Sequence, residues 1–109
     1  MCKNPSSCEE GFRSLNNVSS NKIDLINKNA KNNIPFSGDT YRAIFFLEKI
    51  THIKSNVAWG DVSTYDNYED FKEDRRKWEN WLKKNRCTFS DDDVKEIEDK
   101  VISETSWID

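Results

Sequence analysis

Apolar residues recur along this chain mostly at intervals of three and four, the repeat that gathers them on one face of an α-helix. Cys8, Phe12 and Leu15 mark a first short helix over residues 8–16. Ser7 followed three residues later by Glu10 is the pairing of a capping box at its start. Ile23, Ile26 and Ala30 mark a second helix, beginning at Ser20 and ending before Ile34-Pro35. Proline disfavours helical geometry in the residue before it. A third helix over 39–53, capped by Ser37, carries the stripe Ala43, Phe46, Leu47, Ile50 and Ile53, which Tyr41, Ile44 and Phe45 widen on nearly all sides. A helix so apolar belongs at the centre of the fold.

Residues 54–67 break the helical repeat. Their one strand-like piece runs from Asn56 to Trp59, and a loop this long in a small domain is usually mobile or functional. Asp66 or Asn67 caps a fourth helix over 68–85, with the stripe Tyr68, Phe71, Trp78, Trp81 and Leu82. Glu73–Lys77 and Glu79–Lys83 are helix-stabilising pairs four residues apart. Ser90 and Asp93 open a fifth helix reaching about Glu104, with Val94, Ile97 and Val101 on its inner face and Trp107-Ile108 as an apolar latch behind it. Asp91, Asp92 and Asp93 suit the positive end of its dipole. The pattern predicts an all-α fold: about five helices in a compact antiparallel bundle with one long loop. A single domain over 8–109 follows a flexible tether, residues 1–7.

Composition sharpens this picture. The 109 residues are 35% hydrophobic and 34% charged, yet 12% are aromatic, so the core has to draw on rings. Net charge is −3, and residues 87–109 carry eight acids against two bases. No basic stripe is present to neutralise phosphates, which argues against a nucleic-acid partner. The longest apolar run, Ala43 to Leu47, is five residues, far short of the roughly 20 that cross a bilayer.

Cys2 opens the polar stretch Cys2-Lys3-Asn4-Pro5-Ser6-Ser7 directly after Met1. This start resembles that of a mature bacterial lipoprotein, with Met1 in place of the signal peptide. The resemblance implies a lipid on Cys2, a periplasmic or outer-envelope location, and membrane contact through that lipid alone. Cys8 and Cys87 then remain as an even pair, and a bridge between them would close a loop of about 80 residues, worth roughly 4 kcal/mol. Three reduced thiols, or a local Cys2–Cys8 loop, are the alternatives.

Ala43-Ile44-Phe45-Phe46-Leu47-Glu48-Lys49-Ile50-Thr51, then Trp59-Gly60-Asp61, then Trp78-Glu79-Asn80-Trp81 with Lys83-Lys84-Asn85, is similar to the closing segment of bacterial HEAT-repeat proteins. His52 stands where that family prefers glycine. The resemblance covers residues 41–86 and implies paired antiparallel helices, with Trp78 and Trp81 packing the loop against them.

Chemistry finds little foothold. The one histidine, His52, sits at a helix C-terminus, where the dipole favours a cation. Asp61, Asp66, Asp70 and Asp74 offer carboxylates for acid/base work or a cation, without the spacing of a calcium loop, and the first three would serve a small hydrolase. No cofactor and no metal are expected, nor is an enzyme. A non-enzymatic protein-binding protein is expected instead, an inhibitor or immunity protein against a secreted toxin, with a HEAT-like envelope scaffold as the alternative. Its contact surface would be Trp59, Asp61 and Tyr65 with Asp91, Asp92 and Asp93, facing a basic partner.

Overall fold

The computed structural model describes residues 5–32, 34–58, 64–85 and 89–106, with side chains in the first helix from residue 15 onward. Among these residues four helices are present: α1 (Pro5–Asn32), α2 (Gly38–Thr51), α3 (Tyr68–Lys84) and α4 (Asp91–Glu104). The fold is all-α, as the periodicity predicts, but the expected first and second helices are one. Buried positions continue straight through the polar stretch between them, as Leu15, Ser19, Ile23, Ile26 and Ala30. Ser19 is the position that a purely apolar stripe skips. No Gly or Pro lies between Gly11 and Pro35 to stop the helix, so Ser20 is an interior residue rather than a cap. Helix α1 also takes in Pro5, Ser6 and Ser7, and proline suits the first helical turn.

At its far end α1 is locked to α2 by Asn29. This buried amide donates to the carbonyls of Ile34 (3.4 Å) and Pro35 (3.1 Å) and accepts from the Thr40 hydroxyl (2.9 Å). Ser37 caps α2, accepting from the Thr40 N–H at 3.3 Å. Ala43, Ile44, Phe46, Leu47 and Ile50 are all buried, and α2 touches each of the other helices. Helix α1 does the same. No Cα of α3 lies within 8 Å of one of α4, so each is held chiefly by the α1–α2 pair.

Helix α2 ends at Thr51. His52 follows in the left-handed region (φ 60°, ψ 20°), its N–H donating to the Glu48 carbonyl at 2.9 Å. Helix α3 is capped by Asn67, which accepts from the Asp70 N–H, and α4 by Ser90 in a full capping box with Asp93. On α3 the pair Glu73–Lys77 forms at 2.9 Å, whereas Glu79 meets Arg75 on the preceding turn at 3.3 Å rather than the expected Lys83. Rings bind the interior: Tyr41, Phe36, Tyr65, Phe71 and Tyr68 form an unbroken series with centroids 5.6–6.0 Å apart. The latch at Trp107-Ile108 lies outside the described residues.

Candidate functional site

The connection between α2 and α3 is built around one carboxylate. Asp74, on the inner face of α3, is fully buried. Its Oδ2 accepts from the Asn56 backbone N–H (2.8 Å) and the Tyr65 hydroxyl (2.7 Å), and its Oδ1 from the Asn56 side-chain amide (2.8 Å). Burial raises the Asp74 carboxyl above its usual range, and the donors from Asn56 and Tyr65 partly offset that. Burial, followed by the neighbouring Asp74 charge, drives the Tyr65 phenol far upward. Tyr65 is therefore a fixed proton donor to Asp74. Three donors on a carboxylate closed to solvent describe a structural clasp, because nothing from outside can reach the reacting atoms.

The same connection is fastened at further points. Ser55 N–H donates to the Glu48 carboxylate at 2.7 Å, and the Trp78 indole N–H to the Ile53 carbonyl at 3.4 Å. An isolated antiparallel bridge joins Ala58 and Thr64. Trp78 is fully buried, and Trp81 packs half-buried on Phe89 with ring centroids 6.0 Å apart.

The residues expected to meet a partner separate into three groups. Trp59 and Asp61 lie outside the described residues. Tyr65, expected at the surface, is 2% exposed; its ring packs on Phe36 and Phe71 and its hydroxyl is held by Asp74, so it belongs to the core. Asp91 and Asp92 are exposed on the first turn of α4, whereas Asp93 turns back to accept from the Ser90 N–H at 3.0 Å. Cys2, Cys87 and the Cys8 side chain, hence the lipid site and the bridge, also fall outside the described residues. Of the carboxylates weighed for acid/base work or a cation, Asp61 lies outside the described residues, Asp66 is exposed, Asp70 is half-buried and Asp74 is enclosed. No group of three or more metal-ligating side chains occurs among the described residues.

Two polar residues of the clasps gave no signal in the sequence. Asn29 lies in an expected helix and Asn56 at the start of the strand-like piece, but the sequence marks neither as a tie, and only the folded geometry brings them to Thr40 and Asp74. A second tie was equally hidden. Arg42 reaches from α2 to the end of α4, donating to the Thr105 hydroxyl at 3.1 Å, while Lys49 meets Glu104 at 2.7 Å.

These features define a small all-α domain in which two central helices each hold both flanking ones. Comparison of the chain with protein-family models, with curated proteins and with solved structures finds no match in any of the three.

Proposed function

We propose that this chain is a small non-enzymatic binding protein of the bacterial cell envelope, lipid-tethered through Cys2, that blocks a basic protein such as a secreted toxin. The observation that carries this is the surface of α4. Its 14 residues hold seven acids and two lysines, and Asp91, Asp92, Glu96 and Asp99 are exposed on it. A surface of one dominant sign speeds encounter with an oppositely charged partner and disfavours others. Asp93, engaged in the cap, adds charge to this surface but little contact.

The test is capture from periplasmic extract on immobilised wild-type protein and on a variant carrying Asp91→Asn, Asp92→Asn and Asp99→Asn. The expected result is one basic protein held by the wild type, released by salt and lost on the variant. Recovery of nothing, or equal recovery on both, removes the proposal.

A HEAT-like scaffold component is the second reading. It is favoured by an opening between α1, α2 and α4, where Ile102 stands 56% exposed. Light scattering separates the two, since a scaffold self-associates through that opening and an inhibitor does not.

A further inference from the structure

Acids and bases are sorted along α3, a pattern that the charge of the whole chain conceals. Glu69, Asp70, Glu73 and Asp74 all precede Arg75, whereas Arg75 to Lys84 hold five bases and one acid, Glu79. The exposed carboxylates are engaged on their own helix: Glu69 by Lys72 at 3.2 Å, Glu73 by Lys77 at 2.9 Å and Glu79 by Arg75 at 3.3 Å. Arg76, Lys83 and Lys84 are exposed and make no ion pair among the described residues. Arg76, Asn80 and Lys83 follow one another at intervals of four and three, which sets them along one ridge. They line a shallow groove whose charged groups are four bases and one acid, so its charge is not balanced from within.

The fold sets this basic end of α3 beside the earlier half of α1. The two helices run antiparallel: the Tyr68 hydroxyl donates to the Asn27 side chain at 2.6 Å, while Leu82 and Lys83 share a small cleft with Asn16 and Ser20. Helix α1 in turn begins at Pro5, three residues after Cys2. Helix α4, with seven acids and two lysines, is kept from α3 by the α1–α2 pair. A negatively charged surface therefore attracts one flank of the molecule and turns the other away.

We propose that α3 lays Arg76, Asn80, Lys83 and Lys84 on the anionic headgroups of the membrane surface to which Cys2 tethers the chain. This rests on the lipid-tethered reading and adds a second contact to the lipid. Lysines and arginines near an anionic bilayer each strengthen attachment over about a Debye length, and a basic patch complements an acyl chain that alone holds only reversibly. Headgroups are favoured over a nucleic acid because every ring of α3 is buried or half-buried, which leaves no exposed platform for bases to stack on. Held this way, the acids of α4 face away from the membrane, toward a basic protein.

The test is sedimentation of the whole chain, without its lipid, with two kinds of vesicle at low salt: phosphatidylcholine alone, and the same with a third of it replaced by phosphatidylglycerol. Binding to the anionic vesicles is expected to be at least about tenfold tighter and to be released by salt. A variant carrying Arg76→Gln, Lys83→Gln and Lys84→Gln should lose about tenfold. A second variant, with Lys54→Gln, Lys95→Gln and Lys100→Gln, removes the same net charge elsewhere and should lose less than about twofold. All six positions are exposed, and unchanged circular dichroism verifies that both variants fold. Binding to neither vesicle, equal binding to both, or equal loss in the two variants would overturn the proposal. Inorganic phosphate that reproduces the vesicle-induced amide shifts of Arg76, Asn80 and Lys83 would make a free anion the occupant and overturn it too. So would tighter binding to a single-stranded oligonucleotide than to the anionic vesicles. Each of these failures leaves the lipid tether standing, since no arm uses it; the tether fails separately if the chain recovered from its own membranes has an unmodified Cys2 by mass.

Discussion

Asp74 gathers three donors from the 52–67 connection onto one buried carboxylate, so its removal is felt through what it leaves behind. In Asp74→Ala the Asn56 N–H and the Tyr65 hydroxyl lose their acceptor inside the protein, and an unsatisfied buried donor costs about 1–3 kcal/mol. We expect a loss of about 3 kcal/mol in urea unfolding for that variant and about 1.5 kcal/mol for Tyr65→Phe, which removes one donor to a charged acceptor. Equal costs would mean that the ring, rather than the carboxylate, organises the connection. The raised Asp74 pKa also sets a sign. Between the ordinary value of 3.8 and the higher folded value, the native state binds more protons than the unfolded chain. Stability from this group therefore increases as pH falls through that window and is lost as pH rises. Glu73 and Glu104, both lowered by lysine partners, act in the opposite sense. The contribution of Glu104 is common to wild type and Asp74→Asn and cancels in the difference, whereas Glu73, whose charge adds to the rise at Asp74, is best replaced by Gln in both proteins. Wild type minus Asp74→Asn should accordingly grow as pH is lowered from neutrality and level off below 3.8. A difference that shrinks on acidification would assign Asp74 a lowered pKa and contradict its burial.

At the level of elements, α2, α3 and α4 were legible because each carries a conventional cap at a sharp polar boundary: Ser37, Asn67 and Ser90. Helix α1 was not, because Ser19 occupies a buried stripe position with a polar residue and Ser20 imitates a cap. Among the described residues the buried Ser19 hydroxyl has no hydrogen-bond partner. Ser19→Ala should therefore stabilise the protein by about 1 kcal/mol, combining helix propensity with removal of an unsatisfied hydroxyl. A break at residues 16–20 would instead make that substitution neutral, so the urea midpoint decides between one helix and two. His52 gives a second case. It ends α2 at φ 60°, where a side chain with a Cβ is strained and glycine is not. His52→Gly should raise the thermal midpoint by an amount corresponding to about 0.5–1 kcal/mol. An unchanged or lower midpoint would mean that the exposed imidazole contributes more at this helix end than the backbone loses. The candidate site was less legible than the helices for the same kind of reason. Charge runs such as Asp91-Asp92-Asp93 are visible in sequence, but the ties of Asp74 to Asn56 and of Arg42 to Thr105 join residues distant along the chain.

Across the whole molecule, the two flanking helices are held with unequal strength. Helix α3 buries Phe71, Trp78 and Leu82 along with the Asp74 clasp. Helix α4 buries Val94 and Val101, with Ile97 packed half-buried on the core, and its ties to α1 and α2 include Lys22–Glu98, Lys49–Glu104 and the Arg42–Thr105 bond. Burying a valine contributes roughly 1.5–3 kcal/mol and an exposed ion pair about 0–1, so α4 should open before the rest of the molecule unfolds. Because no Cα of α3 lies within 8 Å of one of α4, that opening leaves the packing of α3 on α1 and α2 in place. Native-state hydrogen exchange should therefore report an opening free energy for α4 amides at least about 2 kcal/mol below that of α2. Acid should widen the gap. The Lys49 ammonium holds Glu104 below the usual carboxylate range, so its contribution is present above the unfolded value and disappears as pH falls through the folded one. Exchange of α4 and α2 amides with one common free energy, unchanged by acid, would show instead that the four helices form a single cooperative unit.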